Sequence, residues 1–293
     1  MKIRQRRVFA VLPTLLTLGN VACGFGSITF AAKVGLTRRY GWGVDDIQCL
    51  YIAGLLVFLA MVFDMLDGSA ARWAKQSSEF GAELDSLCDA VSFGVAPAVI
   101  LIKFLPEFHP RALWCIAALF VVCAILRLAR FNVETDDEED SHDHFSGLPS
   151  PAAAGTVASF MLAYPELTAW ALPLTEEATR WQSAAHHAAT WLLPAIHLLL
   201  PFIALAAACL MVSRVRYPHV FNQWFRGKRS SQHILQLVLG MAAVFLVREV
   251  AVPLIFCWFA LGSPLRSAWQ RLVRRHPRGP KPPASEGLPA EVQ

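Results

Sequence analysis

DMLDGSAARWAKQSSEFGAELDSLCD, residues 64–89, carries four aspartates, Asp64, Asp67, Asp85 and Asp89, between two stretches of apolar sequence. Asp64 and Asp67 are three residues apart and Asp85 and Asp89 four apart, so on helices each pair shares one face. The two helices are expected to be antiparallel neighbours joined by a short connection. Both carboxylate pairs then lie at one depth and can face each other.

Working outward, the flanking sequence defines the medium. Of the 293 residues, 55% are hydrophobic and 16% charged, with a mean hydropathy of +0.44, values outside the range of soluble globular domains. Windows of about 20 apolar residues, enough to cross roughly 30 Å of hydrocarbon, recur along the chain. They are continuously apolar rather than alternating, which selects helices over a barrel. Eight segments are predicted, near 11–33, 49–68, 84–104, 112–132, 150–170, 190–212, 232–248 and 250–265, the last two as a tight helical hairpin. The fold class is therefore all-α, a polytopic membrane bundle of about eight transmembrane helices.

The start MKIRQRR is followed by an apolar run long enough to span, so it reads as a retained first helix rather than a cleaved leader. Seven cysteines are scattered singly with no CxxC spacing, which reads as apolar packing rather than a disulfide framework or zinc site. With the N-terminus inside, 19 of the 26 lysines and arginines fall on the cytoplasmic side. That distribution predicts an inner (cytoplasmic) membrane protein with both termini and the aspartate stretch at the cytoplasmic face.

Residues 133–144, VETDDEEDSHDH, read as a solvated acidic loop. Residues 213–230, SRVRYPHVFNQWFRGKRS, read as a basic aromatic segment lying on an anionic leaflet. The Pro-rich end reads as a disordered tail. The small positive net charge follows topology, and no nucleic-acid partner is expected. The expected organisation is a basic segment at 1–10, a catalytic membrane domain at 11–215, a basic connection at 216–231, a hairpin at 232–265 and the tail at 266–293.

Four repelling carboxylates in a partly desolvated place take up protons or bind cations. Oxygen ligands without nearby His or Cys point to hard divalent ions, Mg²⁺ or Mn²⁺, two of them if both pairs are used. Gly68 and Gly81 remove side chains where a phosphate or ribose would approach, and Arg72 offers a donor fork for phosphate. Together these residues describe a pocket for a metal-bridged diphosphate. Helix-end charges reaching for water would explain one or two of the aspartates, not four on facing stripes.

The pattern Asp64-x-x-Asp67-Gly68-x-x-Ala71-Arg72, eight residues, then Gly81-x-x-x-Asp85-x-x-x-Asp89 resembles the full signature of the CDP-alcohol phosphatidyltransferases. LPTLLTLGNVACGFGS (12–27), LDSLCDAVSFGVAPA (84–98), RLARFN (127–132) and FSGLPSPAAAG (145–155) are similar to the integral-membrane phosphatidylserine synthases of that family. The resemblance covers residues 10–215 and implies the family fold and a homodimer. It implies transfer of a phosphatidyl group from CDP-diacylglycerol to the hydroxyl of L-serine, releasing CMP. By position, Asp64, Asp67, Asp85 and Asp89 would bind the metal and Asp89 would take the hydroxyl proton. Gly68, Arg72, Ser78 and Gly81 would contact CDP-diacylglycerol, with Thr17 and Asn20 closing the nucleotide pocket.

For the acceptor, Arg127 and Arg130 sit three residues apart at the end of the fourth span, where they either bind a substrate carboxylate or set topology. Asn132 and Ser92 are the candidates for its ammonium or hydroxyl. Glycerol 3-phosphate, inositol phosphate and choline are the competing acceptors. An Asp-rich prenyltransferase would hold its two motifs far apart in sequence, and a cation transporter would place its acids near the midplane on broken helices.

Overall fold

In a computed structural model of the chain, residues 2–35, 45–74, 79–137, 145–173, 179–213, 215–217 and 248–273 are described. The helices are α1 (Lys2–Lys33), α2 (Asp46–Ala74), α3 (Glu79–Asp89), α4 (Ala96–Phe104), α5 (Pro110–Asp137), α6 (Ser150–Trp170), α7 (Arg180–Val212) and α8 (Arg248–Val273). A single π turn, Ala90–Val95, joins α3 to α4 and makes them one continuous rod. The only strand pairing among the described residues is two residues long, Phe145 with Tyr217 and Ser146 with Arg216.

Among the described residues, five helical stretches are long and apolar enough to cross a membrane: Thr14–Lys33, Asp46–Gly68, Phe80–Phe104, Pro110–Val133 and Arg180–Val212, with a shorter apolar helix at Ala251–Gly262. Their outer faces carry large exposed apolar side chains such as Phe25, Leu55, Trp114, Trp191 and Trp258. Such a surface is stable against lipid, not water. α6 differs. It is sheathed by α2, α7 and α8, and Ala153 to Met161 are all buried. Its interior position explains why serine, threonine and alanine suffice where lipid-facing helices need leucine.

The structure moves several boundaries. α1 begins at Lys2, within the segment expected to precede the first span. α5 runs to Asp137, into the expected acidic loop, and α8 continues to Val273, into the expected tail. α7 starts ten residues before the expected 190, because Thr179 caps it: its N–H donates to Gln182 Oε1 at 2.7 Å, and the alanine-rich turns that follow favour helix. The span expected at 232–248 lies outside the described residues up to 247, as does most of the basic connection.

α1 packs along α2, and also meets α3, the π turn and α4, while α5 packs on α7. At one end of the bundle Phe104 of α4 meets the Tyr164 ring edge-on at 4.8 Å and His197 at 5.0 Å. The opposite end gathers the first turns of α3 and α6 and the last turns of α2, α5 and α7. Here Gly147, at φ +92, lies where a Cβ would come within 2.5 Å of the Met211 carbonyl oxygen. Its N–H donates to Val215 O at 2.9 Å and the Leu148 N–H to Leu210 O at 3.0 Å, which ties the entry of α6 to the exit of α7.

Candidate active site at the aspartate end

α2 delivers Asp64 and Asp67 from its penultimate turns, and α3 delivers Asp85 and Asp89 from its last two. Carboxylate oxygens of Asp64, Asp85 and Asp89 lie within 4.8 Å of one another. The antiparallel placement expected from spacing is therefore realised for three of the four acids. The fourth, Asp67, accepts a hydrogen bond from Thr17 Oγ1 and stands within electrostatic reach of Asp64 and Asp85.

The donor set suits a hard divalent cation: oxygen ligands only, from two helices, converging on one point. Asp85 Oδ1 is buried without a hydrogen-bond partner, an acceptor that a bound cation would satisfy. Leaving such a group bare costs about 1–3 kcal/mol, and more when it is charged.

α1 contributes more than the sequence suggested. Thr17 and Asn20 were expected against the nucleotide. In the structure both side chains reach the acids: Thr17 holds Asp67, and Asn20 Nδ2 donates to Asp89 Oδ1 at 2.8 Å. All four of these residues are buried, Asn20 completely. Ser92, expected near the acceptor, is also buried and donates from Oγ to the Asn20 carbonyl oxygen at 3.0 Å. This contact needs Gly24, where a Cβ would come within 2.3 Å of Ser92 Oγ and 2.8 Å of Ser92 Cα. The π turn that starts directly after Asp89 puts Ser92 at this crossing. The signal available in the sequence was two polar residues three apart in an apolar span, followed by glycines at 24 and 26.

Of the donor-side residues, Gly68 is exposed beside Asp67 and Gly81 is half-buried. The Arg72 side chain and Ser78 lie outside the described residues.

On the other flank, the half-buried Arg127 donates from Nη1 to Ser150 Oγ at 2.5 Å, and its guanidinium acts electrostatically on Asp89 and Asp64. Its Nε is buried without a partner. Ser150, the fully buried first residue of α6, was not singled out in the sequence beyond the GLPSPAAAG motif that contains it. Asn132 and Ser86 exchange hydrogen bonds of 3.0 and 3.2 Å, which pins the end of α5 to α3. Arg130 is half-buried on the same stretch of α5.

Comparison with known proteins identifies the family. The family model for CDP-alcohol phosphatidyltransferase matches residues 10–192. An archaetidylserine synthase of Methanothermobacter thermautotrophicus is 33% identical over 216 residues, 72% of this chain and 71% of that protein. A CDP-diacylglycerol–serine O-phosphatidyltransferase of Mycobacterium leprae is 29% identical over 279 residues, 94% of this chain and 81% of that protein. The yeast Saccharomyces cerevisiae protein of the same name is 38% identical over 147 residues, about half of each chain. Enzymes of this family depend on divalent metal, for which the acid cluster is the fitting place. With the family model matching well over half its length, the acid signature intact and its helices built to span a bilayer, the chain belongs to the CDP-alcohol phosphatidyltransferase family.

Proposed function

We propose that this protein transfers the phosphatidyl group of CDP-diacylglycerol to the hydroxyl of L-serine, giving phosphatidylserine and CMP. The convergence of Asp64, Asp85 and Asp89 carries the reading of the reaction. The choice of serine is supported by the relatives, whose names differ in the lipid and agree on serine.

In this reading Asp64, Asp85 and Asp89 hold Mg²⁺ or Mn²⁺, with Asp67 completing a two-ion site. Bound there, the metal neutralises the diphosphate and the charge that develops on departing CMP. The chain's own groups do the rest. One Asp89 oxygen is engaged by Asn20, which leaves the second for the proton of the serine hydroxyl. The hydroxyl oxygen forms a bond to the phosphorus that carries diacylglycerol, the bond from that phosphorus to the CMP oxygen breaks, and Asp89 keeps the proton. Gly68 and Gly81 leave room for the nucleotide, with Arg72 and Ser78 as its polar contacts. Arg127 takes the serine carboxylate, using the buried Nε that lacks a protein partner, while Arg130 and Asn132 border the acceptor. Acyl chains remain in lipid while the head group reaches the helix ends, which are cytoplasmic in an inner membrane with both termini inside. The working unit is a homodimer.

The test is CMP release by detergent-solubilised protein supplied with CDP-diacylglycerol and, in turn, serine, glycerol 3-phosphate, inositol phosphate and choline. Serine is expected to support turnover, EDTA to abolish it, and added Mg²⁺ or Mn²⁺ to restore it. Preference for another alcohol would overturn the acceptor while leaving the chemistry intact, and turnover undiminished in EDTA would overturn the metal.

A further inference from the structure

Asn20 is a fully buried amide on a span that otherwise presents apolar and small side chains. Burying an amide costs free energy unless hydrogen bonds replace those lost to water, and here the replacement is uneven. Nδ2 donates to Asp89 Oδ1, while Oδ1 has no partner in the protein. The orientation of the amide follows from chemistry, because an ionised carboxylate only accepts and must face the nitrogen. A residue kept for packing alone would be apolar at this position.

Two further contacts fix the position of this amide. Ser92 Oγ donates to the Asn20 backbone oxygen, and the absence of a side chain at Gly24 lets the π turn come that close. Asn20 is thus gripped through its backbone by Ser92 and itself grips Asp89, three residues earlier on the same rod. One turn away on α1, Thr17 binds Asp67 in the same manner. A carboxylate held through one oxygen cannot rotate freely about its terminal torsion, so the direction of its second oxygen is set. For an acid that serves as metal ligand and proton acceptor, that direction decides whether both roles can be filled.

We propose that Asn20 is a positioning residue of the reaction, which fixes the Asp89 carboxylate by hydrogen bonding one of its oxygens and so presents the other to the metal and the incoming hydroxyl. The inference rests on the function proposed above. It assigns Asn20 to the catalytic acid and not to the nucleotide.

The experiment compares full-length wild type with N20A and N20S in detergent. It reads kcat and KM for both substrates, Mn²⁺ affinity by electron paramagnetic resonance without substrate, and the melting temperature. Both variants are expected to lose about 10–100-fold in kcat or in Mn²⁺ affinity, the range seen when partners of metal-ligating groups are removed. KM for CDP-diacylglycerol is expected to stay within about threefold of wild type. Wild-type kcat and Mn²⁺ affinity per folded molecule in either variant, whatever the melting temperature, would overturn the proposal. A selective rise in KM for CDP-diacylglycerol would likewise overturn it by returning Asn20 to the nucleotide. If N20A does not fold, N20S, which keeps a small polar side chain, decides. The substrate-free Mn²⁺ measurement separates this proposal from the functional reading: a wild type inactive with serine overturns the latter, while altered Mn²⁺ affinity in the variants still supports the former.

Discussion

The two flanks of the acid cluster are built differently. Toward α1, every contact is a short side-chain hydrogen bond onto a carboxylate, Thr17 to Asp67 and Asn20 to Asp89, with Ser92 locking the backbone between them. Toward α5 and α6, one long cation reaches in, pinned at one nitrogen by Ser150 and unpartnered at another. The first flank is closed by hydrogen bonds onto its carboxylates and leaves over an acceptor, Asn20 Oδ1; the second keeps a buried donor, Arg127 Nε, in reserve. That is the difference expected between a side that holds catalytic groups still and a side that receives a substrate.

The comparison breaks most visibly at its shared member. D89N keeps the size of the side chain and its place in the cluster but removes the proton acceptor, so turnover is expected to fall about 10²–10⁴-fold. Binding of CDP-diacylglycerol, followed by equilibrium partition of a labelled donor, should be largely retained. Full activity in D89N would remove the base from the mechanism.

A smaller effect sharpens the receiving flank. R127K keeps the charge and loses the planar fork, so kcat/KM for serine is expected to drop about 10–100-fold, in line with a lost charge-assisted hydrogen bond of about 1.5–3 kcal/mol. KM for CDP-diacylglycerol should not move. A loss spread equally over both substrates would show that Arg127 serves the acids and not the acceptor. S150A, which removes only the hydroxyl that pins Arg127, is expected to raise KM for serine severalfold through the loss of a bond worth about 1 kcal/mol.

The smallest catalytic effect belongs to the closed flank. G24A forces a methyl into Ser92, whose Cα as well as its Oγ lies too near, and overpacking of this kind costs about 1–3 kcal/mol. The expected result is a lower melting temperature, with kcat per folded molecule changed far less than in N20A. An unchanged melting temperature would mean that the crossing of α1 and the π turn is looser than its contacts imply.

The same contrast explains what the sequence disclosed. The pairing of Asp64 with Asp67 and of Asp85 with Asp89 is a local property of helix periodicity, and seven of the eight expected spans coincide with described helical stretches because their apolar runs are continuous. Contacts between distant positions were not legible. Nothing near Asn20 states that residue 89 will meet it, nor does RLARFN announce that Arg127 will meet Ser150. Those pairings depend on how α1 and α6 are seated, and the π turn that seats Ser92 has no periodic signature. The helix ends at Lys2, Asp137 and Arg180 were missed because charge and polarity marked them as loops, whereas a cap at Thr179 and runs of good helix formers extend helix beyond the apolar span.

The tie at Gly147 has a consequence for how the start of α6 is anchored. Because the glycine is wedged against the backbone of residues 211–213 and its neighbour is bonded to Leu210, residues 145–149 act as an anchored pin directly before Ser150. Arg127, bonded to Ser150 at the start of α6, is thereby moored through the pin to the far end of α7.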